Sequence, residues 1–347
     1  MDAIYDHSRE AHWPVLAPSL TAVFSSRLSA SDARDYDAFV ATARGSHYSQ
    51  AAAWAPVVAS SRPLTPYYFM LRSNGRVIGA AMVLRGKLGA LPLPIGRVER
   101  GPVCDRREDL PEILKALKLS AMHHGIARLS VMPYWSNSSI ADVDKSLGLC
   151  GFSDVQTITG SHVRALRLDL STVGPDDSFG GSDFTKLRKE LRRAERAGAI
   201  ARRGCDADLV AYRGMLETRQ HADGKSCPPA AYYEALKGYF LSGDARNAMF
   251  VADYEGEAVS AVFATRFGDM TYFVAGASSG RGLVFSKMVQ PMAAAVLWAR
   301  QQGSKEFDFG GMPMAGDSDP KRNSIALFKR SFSRTEVDLV HEHVRWF

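Results

Sequence analysis

GSKEFDFGGMPMAGDSDPKRNSIALFK, residues 303–329, holds a strand, a glycine turn and a cationic end in one short segment. Glu306-Phe307-Asp308-Phe309 alternates polar with aromatic at the two-residue period of a half-buried strand. It ends at Gly310-Gly311, where positive φ, or a ligand's close approach to the backbone, meets no side chain. A polar loop rich in Gly, Pro and Asp then leads to Lys321-Arg322, and the apolar run Ile325-Ala326-Leu327-Phe328 delivers Lys329. An ammonium presented at the end of such a run is a candidate for holding an oxyanion or a phosphate.

Working outward, similar elements occur twice in the same order. In the first half, residues 31–43 and 47–58 read as helices, and 67–71 and 77–84 as strands joined by the hairpin signal Asn74-Gly75. Residues 88–95, with their paired prolines, read as a loop or edge segment. A helix over 109–124 closes at Gly125 before a strand over 127–131. In the second half, helices near 209–220 and 229–241 precede strands over 248–253, 258–266 and 270–276, a helix over 284–302, Gly303 and the strand at Glu306. The hairpin glycines Gly75 and Gly256 lie 181 residues apart, and the helix-closing Gly125 and Gly303 lie 178 apart. Such similar offsets point to tandem duplication of one α/β unit. The expected organisation is a leader over 1–20, a first domain over 21–165 and a second over 166–347, with 336–346 as the last strand of the second sheet.

A chain of 347 residues is comfortable for two domains of ordinary size. Its net charge of +6 favours a polyanionic partner such as RNA, a nucleotide or a phosphorylated precursor, although many proteins of this charge bind no nucleic acid. Cys104, Cys150, Cys205 and Cys227 are dispersed, so neither a zinc site nor a disulfide framework is indicated, and reduced thiols in the cytoplasm are the plain reading. The N-terminal MDAIYDHSREAHWPVLAP has no cationic start and no apolar run of signal length, and no later stretch approaches the length of an apolar membrane span. The expectation is a cytoplasmic protein with no transmembrane segment.

The strand ending DFGG, the variable polar loop and then FKRSF resemble the C-terminal signature of the FemAB family of aminoacyl transferases. His47-Tyr48-Ser49-Gln50 with Trp54, Arg100-Gly101-Pro102-Val103 and the basic run from Lys186 to Gly198 fit that family in the same order, so the resemblance runs from about residue 45 to the end. It implies an α/β (α+β) fold of two tandem GNAT-like domains, each a mixed, mostly antiparallel sheet flanked by helices. In that family the lysine after Phe is implicated in binding the aminoacyl end of tRNA and stabilising charge on the ester carbonyl. Carried over, Lys329 offers its ammonium to the oxyanion and Phe328 shapes the pocket floor. Asp308 either orients an amine or pins the turn, the latter being favoured.

Two further stretches are candidates for ligand contacts. Residues 186–203 contain eight Lys or Arg and only two acids, on a helix expected over 183–198, capped by Ser182 or Asp183 and stopped by Gly198. Arg188 and Arg192 share a face at i, i+4 spacing and are the chosen contacts for tRNA phosphates or an acceptor's diphosphate; the bland reading is a solvated helix joining two domains. In Ala277-Ser278-Ser279-Gly280-Arg281-Gly282, Gly280 and Gly282 match the coenzyme A loop of GNAT enzymes, but Ala277 stands where that loop carries Gln or Arg. The bland reading there is a glycine turn with no ligand. His47 and His221 are the better-placed histidines, though no carboxylate is paired with either in the sequence, and no GxSxG, HExxH or P-loop is present.

The resemblance therefore implies a transferase that moves an aminoacyl group from aminoacyl-tRNA to an amine acceptor, a peptidoglycan precursor or another peptide or small-molecule amine. No metal or redox cofactor is implied. An acyl-CoA-dependent N-acyltransferase of the same fold is the alternative, and a non-catalytic RNA-binding or scaffold protein is the alternative from another class.

Overall fold

The structure, a computed structural model, describes residues 19–87, 93–155, 163–174, 179–314 and 316–347. The first unit runs β1 (Leu20–Ser25), α1 (Ala30–Thr42), α2 (Ala55–Ser61), β2 (Thr65–Ser73), β3 (Arg76–Lys87), β4 (Pro94–Val98), β5 (Val103–Cys104), α3 (Leu110–His123), β6 (Arg128–Val131), α4 (Ile140–Leu149) and β7 (Ser153–Asp154). The second runs β8 (Arg164–Asp169), α5 (Thr185–Arg196), β9 (Ile200–Arg203), α6 (Asp208–Ala222), α7 (Ala230–Phe240), β10 (Asn247–Tyr254), β11 (Glu257–Phe267), β12 (Met270–Ser278), α8 (Val289–Gln301), β13 (Glu306–Gly311), α9 (Pro320–Lys329) and β14 (Thr335–Asp338). A final strand, β15 (His343–Trp346), closes the described chain.

The strands form two sheets, ordered β1-β2-β3-β4-β6-β15-β7, with β5 on β3, and β14-β8-β13-β12-β11-β10-β9. Within each, one neighbouring pair is parallel, β4 with β6 and β12 with β13, and the other pairs are antiparallel. Both hairpins turn through left-handed pairs, Asn74-Gly75 (φ 50° and 80°) and Glu255-Gly256 (φ 54° and 79°), a twist that matches the strands they join. The duplication read from the glycine offsets is thus present in the topology: hairpin, crossing strand, helix, parallel strand, twice.

Period-two alternation gives each sheet two apolar faces. Phe69, Leu71, Ala81 and Val83 turn to Ile113, Leu114 and Leu117 of α3, while Met70 and Ala80 turn to Tyr36 and Val40 of α1. In the second sheet, Phe250, Phe307 and Phe309 meet Met292 and Val296 of α8, and Met249, Val251 and Phe263 meet Tyr212 of α6 and Leu236 of α7. That second layer continues into the first unit through Trp54, Val57, Met82 and Leu84. Trp54 packs edge-on against Tyr239 at 5.1 Å between ring centroids, an aromatic contact worth about 0.5–1.5 kcal/mol beyond its buried area.

Several boundaries differ from the sequence reading. Residues 47–58 form two short 3-10 turns before α2, because His47 and Ala51 hold extended backbone. The basic helix begins at Thr185 with Phe184 at its cap position and no side-chain cap, so neither Ser182 nor Asp183 plays that part. The helix expected from 284 begins at Val289. Residues 320–329, expected as a polar loop and an apolar run, form α9, because Asp319 accepts from the backbone N–H of Lys321 (2.8 Å) and Arg322 (3.2 Å) and Pro320 occupies the first turn. The expected leader over 1–20 lies outside the described residues up to 18, whereas Leu20 opens β1 on the edge of the first sheet. Of the expected loop at 88–95, residues 88–92 also lie outside, and Pro94 and Ile95 belong to β4.

The chain's end carries the main correction. Of the expected last strand only residues 336–338 pair in the second sheet, on β8; His343–Trp346 crosses back and pairs with β6 and β7 of the first. β15 between β6 and β7 thus takes the place in the first sheet that β8 takes between β13 and β14 in the second. The first sheet is thus completed by a strand that follows the second in sequence, which ties the units together. Among the described residues no helix is long and apolar enough to cross a membrane.

Truncation after Val340 removes β15 and uncovers β6. Thermal unfolding of the truncated chain is expected to begin about 5 °C or more below that of the full chain, for a loss of roughly 2 kcal/mol in a domain this size. Equal midpoints would show that β15 adds nothing to the first sheet.

Candidate active site

The two parallel pairs separate at their carboxyl ends. Val98 and Val131 are the last partners of β4 and β6, and Tyr272 and Asp308 the last of β12 and β13. Beyond those points Glu99, Arg100 and Tyr134 from the first unit face Val274, Gly310 and Gly311 from the second across one cavity of about 430 Å³. Openings at strand carboxyl ends are where α/β folds bind ligands, and the volume suits a small-molecule site.

α9 brings Lys329 into this cavity. Helical spacing puts Lys329 on the same face as the buried Ala326, three residues earlier, so its side chain turns inward and is only 7% exposed. Its Nζ donates to the carbonyl of Gly311 at 2.7 Å. Burial pulls its pKa down to about 8, against a smaller upward pull from Asp308. An ammonium has three N–H donors, and the two not spent on Gly311 have no partner among the described residues.

Asp308 lies on the opposite face of β13 from Phe307 and Phe309, as alternation requires, and is buried against the first unit. One carboxylate oxygen accepts from the backbone N–H of Gly310 at 2.6 Å, pinning a turn with φ +74° at that glycine. The other accepts from the Tyr134 hydroxyl of the first unit and stands 3.6 Å from Arg167 Nε. The Arg167 guanidinium lies over the Tyr134 ring at 5.1 Å.

His47 sits beside this network, its ring 4.4–4.8 Å from those of Tyr48, Tyr134 and Tyr272. Ser49 N–H donates to its Nδ1 at 3.1 Å, which leaves the ring proton of the neutral form on Nε2. Burial, and then Arg100 and Arg167, hold the imidazole well below its usual pKa, so it is uncharged at neutral pH. The orienting partner is therefore a serine of its own turn, with no carboxylate involved.

Of the residues singled out in the sequence, Lys329, Asp308 and His47 are brought together in this cavity. Phe328 is not: it packs against Phe332 at 5.5 Å, toward the second unit's core, and does not form the floor. Arg188 and Arg192 line a separate groove along α5, and Arg188 Nη1 is occupied by the carbonyls of Phe179 and Gly181, both at 2.6 Å. Gly280 and Gly282 lie early in the loop between β12 and α8, well before the helix starts at Val289; Lys287 folds back onto them, donating to the carbonyls of Ser279 and, at 2.6 Å, Arg281. The glycines therefore do not open the helix, and that loop fits a diphosphate poorly. His221 is exposed near the end of α6. Arg62, Arg97, Tyr134, Arg167 and Tyr272 were missed; the one available signal was Arg100-Gly101-Pro102-Val103, which marks the turn after β4.

A larger recess of about 690 Å³ lies behind Tyr134 and Tyr272, but its charges sit on an exposed rim, where Lys305 pairs with Asp269 at 2.6 Å. The buried lysine and the parted strands make the smaller cavity the candidate site. Among the described residues no group of three His, Cys, Asp or Glu side chains is positioned for a metal ion.

Among solved structures, FemX superposes with a TM-score of 0.78 over 94% of this chain and 97% of its own, at 16% identity. The chain has the FemAB-like tandem GNAT fold. The same fold relates it to the C-terminal domain of a putative lysylphosphatidylglycerol synthetase from Agrobacterium fabrum (TM-score 0.57, 14% identity, 91% and 92% covered) and to a tandem GNAT protein from the clavulanic acid biosynthesis pathway (0.53, 12%, 94% and 98%). A GNAT acetyltransferase domain model matches residues 182–322, within the second GNAT unit, and no curated protein sequence matches. The chain is thus built on a GNAT-type acyltransferase fold, and Lys329 stands at the open edge of the strand pair in its second unit.

The burial of Lys329 is open to direct test. Reaction with a small acylating reagent, followed by mass spectrometry across pH, should report deprotonation of Lys329 with a midpoint near pH 8. A midpoint at the ordinary lysine value of 10.5 would contradict its burial.

Proposed function

We propose that the protein transfers an aminoacyl group from aminoacyl-tRNA to an amine acceptor, with Lys329 holding the oxyanion. The observation that carries this reading is a buried ammonium with spare donors, inside a cavity that both units wall. The acceptor amine attacks the ester carbonyl, forming a C–N bond. Charge collects on the carbonyl oxygen, where Lys329 Nζ stabilises it in surroundings that strengthen the interaction. Collapse breaks the C–O bond; the amine's proton passes to the departing tRNA hydroxyl, directly or through water. The ester supplies the driving force and the two walls supply proximity, so no dedicated base is required.

The acceptor enters along the first unit, where Arg62, Arg97 and Arg100 line the wall and suit an anionic molecule such as a peptidoglycan precursor. Arg192, exposed on α5, is the candidate contact for tRNA phosphates outside the cavity. The setting is the cytoplasm, where charged tRNA is available. A second reading, acyl-CoA as donor, is favoured by the acetyltransferase-domain match, but Ala277 and the inward fold of Lys287 count against it.

Incubation with charged tRNA or acyl-CoA and a panel of amines separates the readings by release of free tRNA or of free thiol. With the correct donor, Lys329→Met should lower kcat by about 10²–10³-fold, the loss typical of an oxyanion donor, with KM little changed. Arg192→Glu should weaken charged tRNA in a salt-dependent way and leave an acyl-CoA reaction untouched. Full activity of Lys329→Met on either donor would remove the lysine from the mechanism, and no turnover with any donor would favour a binding protein.

A further inference from the structure

We infer that His47 and Tyr48 form a subsite that binds a carboxylate of the acceptor, through the imidazole Nε2–H and the phenol O–H. The subsite belongs to the wall along which the proposed acceptor enters, and so rests on that reading. The two residues lead into the short 3-10 turn Tyr48–Gln50, which Gln50 anchors. Gln50 is fully buried; its carbonyl accepts from the Tyr36 hydroxyl at 2.8 Å and its side-chain oxygen from the Met82 N–H at 2.7 Å. The His47 and Tyr48 rings stand 4.4 Å apart. His47 is held between Tyr134 and Tyr272, and Tyr48 lies edge-on to Trp54 at 5.1 Å. Both side chains line the cavity that contains Lys329.

The position of the imidazole proton follows from the turn. Among the described residues the buried Ser49 N–H has His47 Nδ1 as its one partner, at 3.1 Å, so a proton on Nδ1 would orphan that amide. The Ser49 hydroxyl, 2.8 Å from Nδ1, can donate to it as well, because its other neighbour, the Glu99 carbonyl at 3.0 Å, already accepts from Gln50 Nε2. Nδ1 is therefore an acceptor and the neutral ring carries its proton on Nε2. That N–H has no partner among the described residues, nor has the Tyr48 hydroxyl, and neither atom is sealed from the cavity. Burial keeps the phenol protonated. A ring in this tautomer cannot take the proton of an attacking amine; it offers a hydrogen bond to an oxygen. The cavity wall sets Arg62, Arg97, Arg100 and Lys329 against the carboxylates Glu99 and Asp308, which favours an anionic oxygen over a neutral one. Two neutral donors on adjacent rings suit a carboxylate, whereas a phosphate is better held by cationic forks or a row of backbone amides. The acceptor implied is an amine that also carries a carboxylate, as an amino acid or a peptide end does.

The test needs no turnover. NMR of the histidine ring nitrogens in the full chain, with His47→Gln to assign the resonances, reads the tautomer, and the proton is expected on Nε2. Sodium acetate is then the probe, with sodium chloride at matched ionic strength as the control and inorganic phosphate as the competing arm. Acetate should displace the His47 ring resonances saturably. Tyr48→Phe, which keeps the ring and removes the donor, should weaken acetate about 10-fold or more, the loss of a hydrogen bond to a charged group. His47→Phe, read at the Tyr48 ring, should do the same and keeps the test usable if Tyr48→Phe fails to fold. A proton on Nδ1, a displacement no greater than that from chloride, a response to phosphate but not to acetate, or unchanged acetate affinity in the folded variants would each overturn the inference. Acetate binding as expected with no turnover of any amine would leave the subsite standing and remove the transferase reading. Turnover of amines with the rings silent to acetate would do the reverse.

Discussion

A lysine taken out of water loses several kcal/mol of hydration, and the fold has to answer that loss or the proton leaves. In this protein the answer comes from both halves of the chain. The Gly311 carbonyl takes one N–H, Asp308 supplies opposite charge, and Asp308 is itself held by a tyrosine from the other unit. If the units separated, Tyr134 would leave Asp308 and the aromatic wall around His47 would open. The state of the site is therefore tied to the docking of the two sheets.

That docking is built in at two levels. The apolar layer from Trp54 through Tyr239 to Phe263 is continuous, so neither unit has a finished core on that side. The crossing of β15 adds a topological tie, since the chain returns to the first sheet after its last strand in the second. Both devices keep the cavity's two walls at fixed spacing, as a reaction relying on proximity needs. Across that seam the second unit holds the lysine and the first supplies the wall arginines Arg62, Arg97 and Arg100.

Much of this was legible in local pattern. The alternation Glu306-Phe307-Asp308-Phe309 foretold a strand with Asp308 facing away from the phenylalanines, and paired turn residues foretold both hairpins. Asp319-Pro320 was a readable helix start, hidden by the Gly and Asp around it. What the sequence could not supply were contacts between distant positions. Tyr134 meets Asp308 across 174 residues, and nothing near either one signals the other. The destination of β15 was equally hidden, because His343–Trp346 alternates in a way that suits either sheet. Phe328 misled for a simpler reason: with α9 unrecognised, helical spacing could not show that Phe328 and Lys329 face different ways.

The proposed chemistry requires an acyl carbonyl to meet Lys329 in the cavity between the parted strands. A crystal structure with a non-hydrolysable mimic of an aminoacyl-tRNA 3′ end tests this most directly. The mimic's carbonyl oxygen is expected about 2.7–3.1 Å from Lys329 Nζ, beside Gly310, with its chain leading out of the seam. A mimic bound elsewhere, with the seam empty and Lys329 still directed only to Gly311, would contradict it.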